Sequence, residues 1–302
     1  MTNVVEVVWR EQESWQRTAP TVVRVALAGC GSVGSALLRE ISAHREAIGE
    51  RHGVEIVLTR VLVRDVIRRR DATFDRALLT NDVDAFLATD ADIVVEAIGG
   101  LDPARRIAET ALGRGQRLVT ANKLLLAAHG SSLSALARRN RTSLRYDAAV
   151  GGGVPILRVL DESLGAGGPS RVRGILNGTT NFVLTRLEGG ASLESALDEA
   201  RAAGFAEADA SRDLDGRDAA DKIALVACVE PLLVAPDSAL ARTRDEGNHV
   251  DVFAGWRAPL SASGPGAGGL PAATAAEISS ILRALDLAGA SPIAARFDEA
   301  LQ

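Results

Sequence analysis

Between Val22 and Ile48 the chain passes from a β-branched run, VVRVALA (Val22 to Ala28), straight into Gly29-Cys30-Gly31-Ser32-Val33-Gly34 and on into a stretch with helical spacing, Ser35 to Ile48. No other feature restricts the fold as much. A strand that ends in G-x-G-x-x-G and hands over to a helix within it needs backbone conformations and close approaches that side chains forbid. It also leaves helix N–H groups facing the turn. Such a turn suits a pyrophosphate at the positive end of the helix, although a glycine-rich connection can also be no more than a tight turn.

The segments that follow keep the same rhythm. A second strand is expected from Val54 to Val63, and a third apolar block, Asp92 to Ile98, ends in Gly99-Gly100. Asp102 reads as an N-cap and Pro103 as the first residue of a helix that ends near Gly113 or Gly115. Gln116 to Thr120 reads as another strand and Lys123 to Arg139 as another helix. Strands alternating with helices across short turns predict a parallel sheet covered on both faces.

Near Tyr146 the texture changes. A strand, Ser143 to Ala148, runs into Val150-Gly151-Gly152-Gly153-Val154-Pro155, where the hinge between domains is expected. Arg171 to Asn177 reads as a strand, and Asn181 to Leu187, Leu193 to Ala203 and Ala219 to Val229 as helices. From Pro231 to Pro271 the pattern weakens, with a glycine-rich loop at Gly264 to Gly269, before a last helix from Ala272 to Leu287. The predicted fold is α/β: an N-terminal Rossmann-type doubly wound parallel sheet and a second, α+β domain for substrate and dimerisation. Its divisions are an N-terminal arm (1–20), a nucleotide-binding domain (21–147), the second domain (148–263) and a C-terminal segment (264–302) returning to the first domain.

A length of 302 residues suits two domains. Lys and Arg number 34 against 39 Asp and Glu, a formal charge of −5, so no global field attracts a nucleic-acid backbone. Cys30 and Cys228 are the only cysteines and stand in no metal or disulfide pattern, which fits a reducing cytoplasm. The apolar patch Val4 to Trp9 is broken by Glu6 and followed by charges, so neither a leader nor a membrane span is expected. His44, His52, His129 and His249 stand in no motif that suggests catalysis.

Three sets of residues carry chemistry. The second strand ends at Val63-Arg64-Asp65; Arg64, with Arg68, Arg69 and Arg70 behind it, favours a 2′-phosphate and hence NADP, while Asp65 keeps NAD open. Glu207, Asp209, Asp213, Asp215, Asp218 and Lys222 fall within sixteen positions. Asp218 and Lys222, four apart, share a helix face, and this is either an exposed ion pair beside an acidic loop or a site. The apolar run Ile223 to Ala227 places the lysine where a buried helix meets a cleft, so its ammonium can donate a proton to a carbonyl oxygen that gains charge. Lys123 follows a strand at the carboxyl edge of the sheet, where it either meets a ligand or merely starts a surface helix.

Taken together in this order, GCGSVG, Thr120-Ala121-Asn122-Lys123, AAVGGGVP (Ala148 to Pro155), Gly174 to Asn181, GFAEAD (Gly204 to Asp209), Asp215-Gly216-Arg217-Asp218 with Lys222, and GPGAGG resemble homoserine dehydrogenases. The resemblance implies reversible reduction of L-aspartate 4-semialdehyde to L-homoserine with a nicotinamide cofactor. It implies Lys222 as proton donor, Asp218 and Glu207 (with Asp213) on substrate polar groups, and Lys123 between cofactor and substrate. Gly178, Thr179 and Thr180 would form the substrate floor. Gly29, Gly31, Ser32, Val33, Gly34 and Arg64 would hold the cofactor, with Gly99, Gly100 and Gly266 on its nicotinamide side. A monovalent cation, sodium, would sit at Asp147 with the carbonyls of Val150, Gly152 and Val154, where the family commonly has glutamate in place of Asp147. A homodimer is also implied.

This chain departs from the family pattern by crossing from the Lys222 helix to Asn248 in the short segment Pro231 to Gly247, so part of the second sheet or of the dimer contact is expected to be missing. No feedback by a regulatory domain after Gln302 is expected. Two other readings stay open: a diverged homologue reducing a related small semialdehyde or keto compound, and an inactive nicotinamide-binding protein.

Overall fold

In the computed structural model, which describes residues 20–68, 70, 74–150, 157, 171–175, 177–203, 206, 210–215, 247–253 and 260–265, the β-branched run forms β1 (Thr21–Ala28). The helical stretch after it is two helices, α1 (Ser32–Ala43) and α2 (Arg45–His52), rather than one. The chain turns at His44 because the apolar stripe runs out: α1 buries Gly34, Ala36, Leu37 and Leu38, whereas α2 buries only Ile48. Then come β2 (Val54–Leu62), β3 (Leu79–Thr80), α3 (Val83–Leu87), β4 (Ile93–Glu96), α4 (Ala104–Gly113), β5 (Arg117–Thr120), α5 (Lys123–Arg139) and β6 (Leu144–Arg145).

The strands make a six-stranded sheet in the order β3-β2-β1-β4-β5-β6, every pair parallel. Successive side chains of a strand point to opposite faces, and both faces are covered. Val23, Val25 and Leu27 of β1 join Ile93 and Val95 of β4 and Leu37, Leu38 and Ile48 from the first two helices. Ala26 and Ala28 face the other way, where α4 packs through Ala104, Ile107, Ala108, Ala111 and Leu112, and α5 through Leu125, Leu133 and Ala137. Alanine on both sides of that contact lets the helix lie close to the sheet. Each fully buried Leu or Ile in these layers is worth about 1.5–3 kcal/mol of burial.

Beyond β6 a 3-10 turn, Asp147–Ala149, replaces the end of the strand expected at Ser143 to Ala148. The second region contains β7 (Arg171–Ile175), α6 (Gly178–Glu188), α7 (Leu193–Ala202), α8 (Ser211–Leu214), β8 (Gly247–Phe253) and β9 (Leu260–Pro265). β7, β8 and β9 form an antiparallel sheet in that order. Two strands therefore stand where the sequence pattern weakens; Gly264 and Pro265 of the expected glycine-rich loop are the last residues of β9, and Gly266 to Gly269 lie outside the described residues. α6 and α7 share a small core of Phe182, Val183, Ala196 and Ala200, with the Arg186 guanidinium 4.3 Å from the Phe182 ring centre. The expected helices at Ala219 to Val229 and Ala272 to Leu287, and residues 1–19 of the arm, lie outside the described residues. No helix among the described residues is long and apolar enough to cross a membrane.

One ion pair ties the base of the sheet. Asp92 Oδ2 accepts from Arg24 N at 2.8 Å and Arg24 Nε at 3.1 Å, and Asp92 Oδ1 accepts from Arg24 Nη2 at 3.0 Å. The Arg24 bonds hold the Asp92 carboxyl below the usual carboxylate range. A carboxyl depressed in the folded state stabilises it above the unfolded pKa, and that contribution is lost as pH falls through the lower folded value. Asp92→Asn is therefore expected to lower stability at pH 7 by about 1 kcal/mol for a pair this exposed. The gap to wild type should close below about pH 4. Urea midpoints across pH measure this, and a gap unchanged at low pH would show that the charge of Asp92 is not its source.

Candidate active site

The strand order sets the place of the site. The chain builds β1, β2 and β3 outward on one side, then returns to lay β4 on the other side of β1. At that switch the connections leaving β1 and β4 diverge and open a crevice beyond the carboxyl ends of the strands. A cleft of about 820 Å³ lies there, lined by Gly29, Cys30 and Gly31 after β1, by Leu62 to Asp65 with Arg68 and Arg70 after β2, and by Ala97 to Gly100 after β4.

Each glycine of the motif has its own job. Gly29 has a positive φ of 99°, and a Cβ there would stand 2.4 Å from the Ala97 carbonyl oxygen, so only glycine lets the two turns meet. A Cβ on Gly34 would lie 2.0 Å from the Gly29 carbonyl oxygen, so this glycine lets α1 start against the turn. Gly31 differs: its N-cap conformation (φ −83°, ψ −152°) is open to any residue, and a Cβ would meet nothing within 4 Å. That space lies in front of the N-terminus of α1, whose first turn carries no acidic residue. An unfilled cradle before a positive helix end fits a pyrophosphate. Cys30 is buried, with Sγ 3.4 Å from Ser35 Oγ, and Ser32 is exposed at the helix start beside the half-buried Val33.

The far end of the cleft is basic, and its arginines divide into two kinds. Arg70 donates to the carbonyls of Arg68 and Asp65, and Arg76 to those of Val66 and Ile67, so both brace the loop after β2. Arg64 and Arg68 are exposed and make no side-chain hydrogen bond among the described residues. Asp65 is turned into the loop: its Oδ1 accepts from Ile67 N at 2.8 Å and Arg68 N at 3.1 Å, which hold its carboxyl below the usual range. Arg69 lies outside the described residues.

On the other side of β1 the expected helix cap is corrected. Pro103, not Asp102, is the N-cap of α4, the Asp102–Pro103 peptide is cis, and no side chain caps that helix. Asp102 and Pro103 instead line the cleft. Lys123 opens α5 as expected, half-buried, but is not part of the cleft lining. Sequence reasoning assigned no role to the residues that hold this region. Glu96, fully buried at the end of β4, accepts from Thr120 Oγ1 at 2.6 Å and from the N–H groups of Ile98 and Gly99 at 2.9 and 3.2 Å. Asn122 caps α5 by accepting from Leu125 N, and its Nδ2 donates to the Gly100 carbonyl at 2.7 Å. The signal was present: a carboxylate inside the apolar run DIVVEAI is out of place unless it is satisfied.

In the second region Gly178, Thr179 and Thr180 form the first turn of α6, which begins three residues before the predicted helix start because Asn177 caps it, accepting from Thr180 N at 2.7 Å. The structure brings Asp213 of α8 to this turn. Its Oδ1 accepts from Asn177 Nδ2 at 2.8 Å, and its carbonyl accepts from Thr180 Oγ1 at 2.6 Å. Asp147 and Val150 are both buried. Glu207, Asp209, Asp218, Lys222, Gly266, Gly152 and Val154 lie outside the described residues.

Comparison with known proteins finds the same architecture. Residues 29–147 match the family model "Homoserine dehydrogenase, NAD binding domain", and residues 155–229 match "Homoserine dehydrogenase". The homoserine dehydrogenase of Bacillus subtilis is 39% identical over 207 residues, covering 68% of this chain and 48% of that protein. That of Mycobacterium bovis is 42% identical over 209 residues, covering 68% and 47%. The chain thus spans about half the length of the curated relatives it matches. A crystal structure of a homoserine dehydrogenase from Thiobacillus denitrificans superposes with a TM-score of 0.79 at 30% identity, covering 91% of this chain and 75% of that one.

Proposed function

Because the chain belongs to the homoserine dehydrogenase family, we propose that it is a nicotinamide-dependent oxidoreductase that reduces L-aspartate 4-semialdehyde to L-homoserine. The observation that carries this reading is the open cradle at Gly31 before α1, at the sheet's switch point, with basic side chains at one end of its cleft. The gap between the two family matches, after residue 147 and before residue 155, supports a division of the chain into nucleotide and substrate domains near residue 148.

In this reading the nicotinamide supplies the hydride. The chain's own residues do the rest. Lys222 gives its proton to the aldehyde oxygen as that oxygen gains charge, and Asp218, four residues earlier in the sequence, keeps the ammonium oriented. Glu207 holds the substrate ammonium, and Asp213, joined to Asn177, keeps the acidic segment against the first turn of α6. Gly178, Thr179 and Thr180 floor the substrate there, with Lys123 at the start of α5 between it and the cofactor. Gly99, Gly100 and Gly266 line the nicotinamide side. A sodium ion at the buried Asp147 and Val150, with the carbonyls of Gly152 and Val154, belongs to the same reading, as do a homodimer and a cytoplasmic setting.

NADP is the preferred cofactor. Asp65 commits one oxygen to the backbone of its own loop, while Arg64 and Arg68 face the cleft. Arg64→Ala is expected to weaken NADPH about tenfold or more, the loss of a charged hydrogen bond of about 1.5–3 kcal/mol, with NADH little changed. Equal losses for both nucleotides would defeat the assignment. The function itself is tested by following NADPH absorbance with aspartate 4-semialdehyde and a panel of other small aldehydes and keto acids. Oxidation with aspartate semialdehyde above all others is expected. A preference for another carbonyl compound would move the substrate, and NADPH binding without turnover of any would leave a nucleotide-binding protein.

A further inference from the structure

Glu96 closes a ring of hydrogen bonds beneath the cleft, and the directions of those bonds say what its charge is for. Thr120 Oγ1 accepts from Asn122 N at 3.0 Å, so the hydroxyl proton is free to go to Glu96 Oε2, 2.6 Å away. The other oxygen, Oε1, accepts two N–H groups, those of Ile98 and Gly99. From Gly99 the chain runs through two glycines with positive φ, 77° and 73°, and the Gly100 carbonyl returns to Asn122 Nδ2. The ring therefore joins two turns: the one after β4, which lines the cleft, and the one after β5, which starts α5 at Lys123. Every donor in it points at a carboxylate, a hydroxyl or a carbonyl, and no water is needed to complete it.

We propose that Glu96 is a positioning residue whose buried carboxylate locks the Ala97–Gly100 turn to the Asn122–Lys123 turn, fixing the nicotinamide end of the cleft independently of its adenosine end. The proposal rests on the nucleotide reading above. Two observations separate the ends. The basic residues that would meet the 2′-phosphate follow β2, on the other side of β1, and among the described residues neither Arg64, Arg68 nor Arg70 shares a hydrogen bond with the ring. The carboxylate is also the only group of its shape that suits the ring. A glutamine at this position must aim its NH2 either at two backbone N–H groups or at a hydroxyl that then loses its acceptor. Either orientation loosens one turn while both remain attached to strands in the centre of the sheet.

Equilibrium titration with two probes tests this: NADPH, and 2′,5′-ADP, which keeps the phosphorylated adenosine and lacks the nicotinamide half. Glu96→Gln is expected to weaken NADPH about tenfold, roughly 1.4 kcal/mol, and to leave 2′,5′-ADP within about twofold. Thr120→Val, which removes the other end of the same bond, should shift the ratio in the same direction, and Thr120→Ser, which keeps the hydroxyl, should restore it. Equal weakening of both probes would mean a merely structural residue and would overturn the proposal, as would unchanged NADPH affinity. If Glu96→Gln fails to fold, the two Thr120 variants decide alone. Wild-type protein that binds neither probe would overturn the nucleotide reading itself, an outcome distinct from wild-type binding with an unmoved ratio in the variants.

Discussion

Gly34→Ala is expected to destabilise the protein by about 2–3 kcal/mol and to remove NADPH binding, whereas Gly31→Ala should weaken binding and leave stability near wild type. The contrast follows from what an added methyl would meet. At position 34 it would stand 2.0 Å from the Gly29 carbonyl oxygen, a backbone atom that cannot swing aside. Gly29 is itself wedged against Ala97, so the strain passes on into the turn after β4. α1 would have to move off the sheet, pulling Leu37 and Leu38 from the core they share with β1 and β4. At position 31 the methyl meets no protein atom and the backbone suits alanine, so folding is indifferent to it. It would occupy the space left for a pyrophosphate, and affinity should fall tenfold or more, about 1.4 kcal/mol. Chemical denaturation and NADPH titration of the two variants separate the effects. A Gly31→Ala protein that binds as well as wild type would mean that the cradle does not hold the nucleotide.

The second large effect belongs to Lys222. Lys222→Ala is expected to cut turnover of aspartate semialdehyde by a factor of about 10² to 10⁴, the usual worth of a positioned acid, with NADPH affinity within about twofold of wild type. Support for the role comes from the sequence, four residues after Asp218 in a segment matched as homoserine dehydrogenase over residues 155–229. Upstream of it, Asp213 is bonded to Asn177, the cap of α6, whose first turn carries Gly178 and Thr179. Lys222→Arg keeps the charge but holds its proton too tightly to give it up, and should remain slow. Unchanged turnover in Lys222→Ala would remove the lysine from the mechanism, while equal losses of turnover and nucleotide affinity would make it a binding residue.

What could be read before folding was local. The span of α5, Lys123 to Arg139, follows from Asn122 as cap and from apolar spacing behind it, and the bounds of β1 and β2 follow from β-branched runs ended by glycine or charge. β3 and α3 escaped notice because two and five residues give too short a stretch for any period to show. β8 and β9 escaped for another reason: Gly, Asn, His, Ser and Pro make poor strand formers, and these strands are held by pairing, β8 with β7 and β9 with β8. The site was legible in the same uneven way. Gly29, Gly31 and Gly34, Arg64 and the Gly178 to Thr180 turn were marked by motif, but the hydrogen bonding of Glu96, Thr120 and Asn177 was not.

The sequence by itself determined the doubly wound domain and the place of the glycine turn after β1, because glycine spacing and residue periodicity act over a few neighbours and need nothing distant to be true. Only the tertiary structure decided which acids and bases face the cleft. Asp65 turns into its own loop, Arg70 and Arg76 brace that loop, and Glu96 reaches across 24 residues to Thr120. Such assignments depend on which donors the fold brings within about 3 Å of a lone pair, and that is fixed by how β1, β4 and β5 lie side by side, not by the order of residues along any one of them.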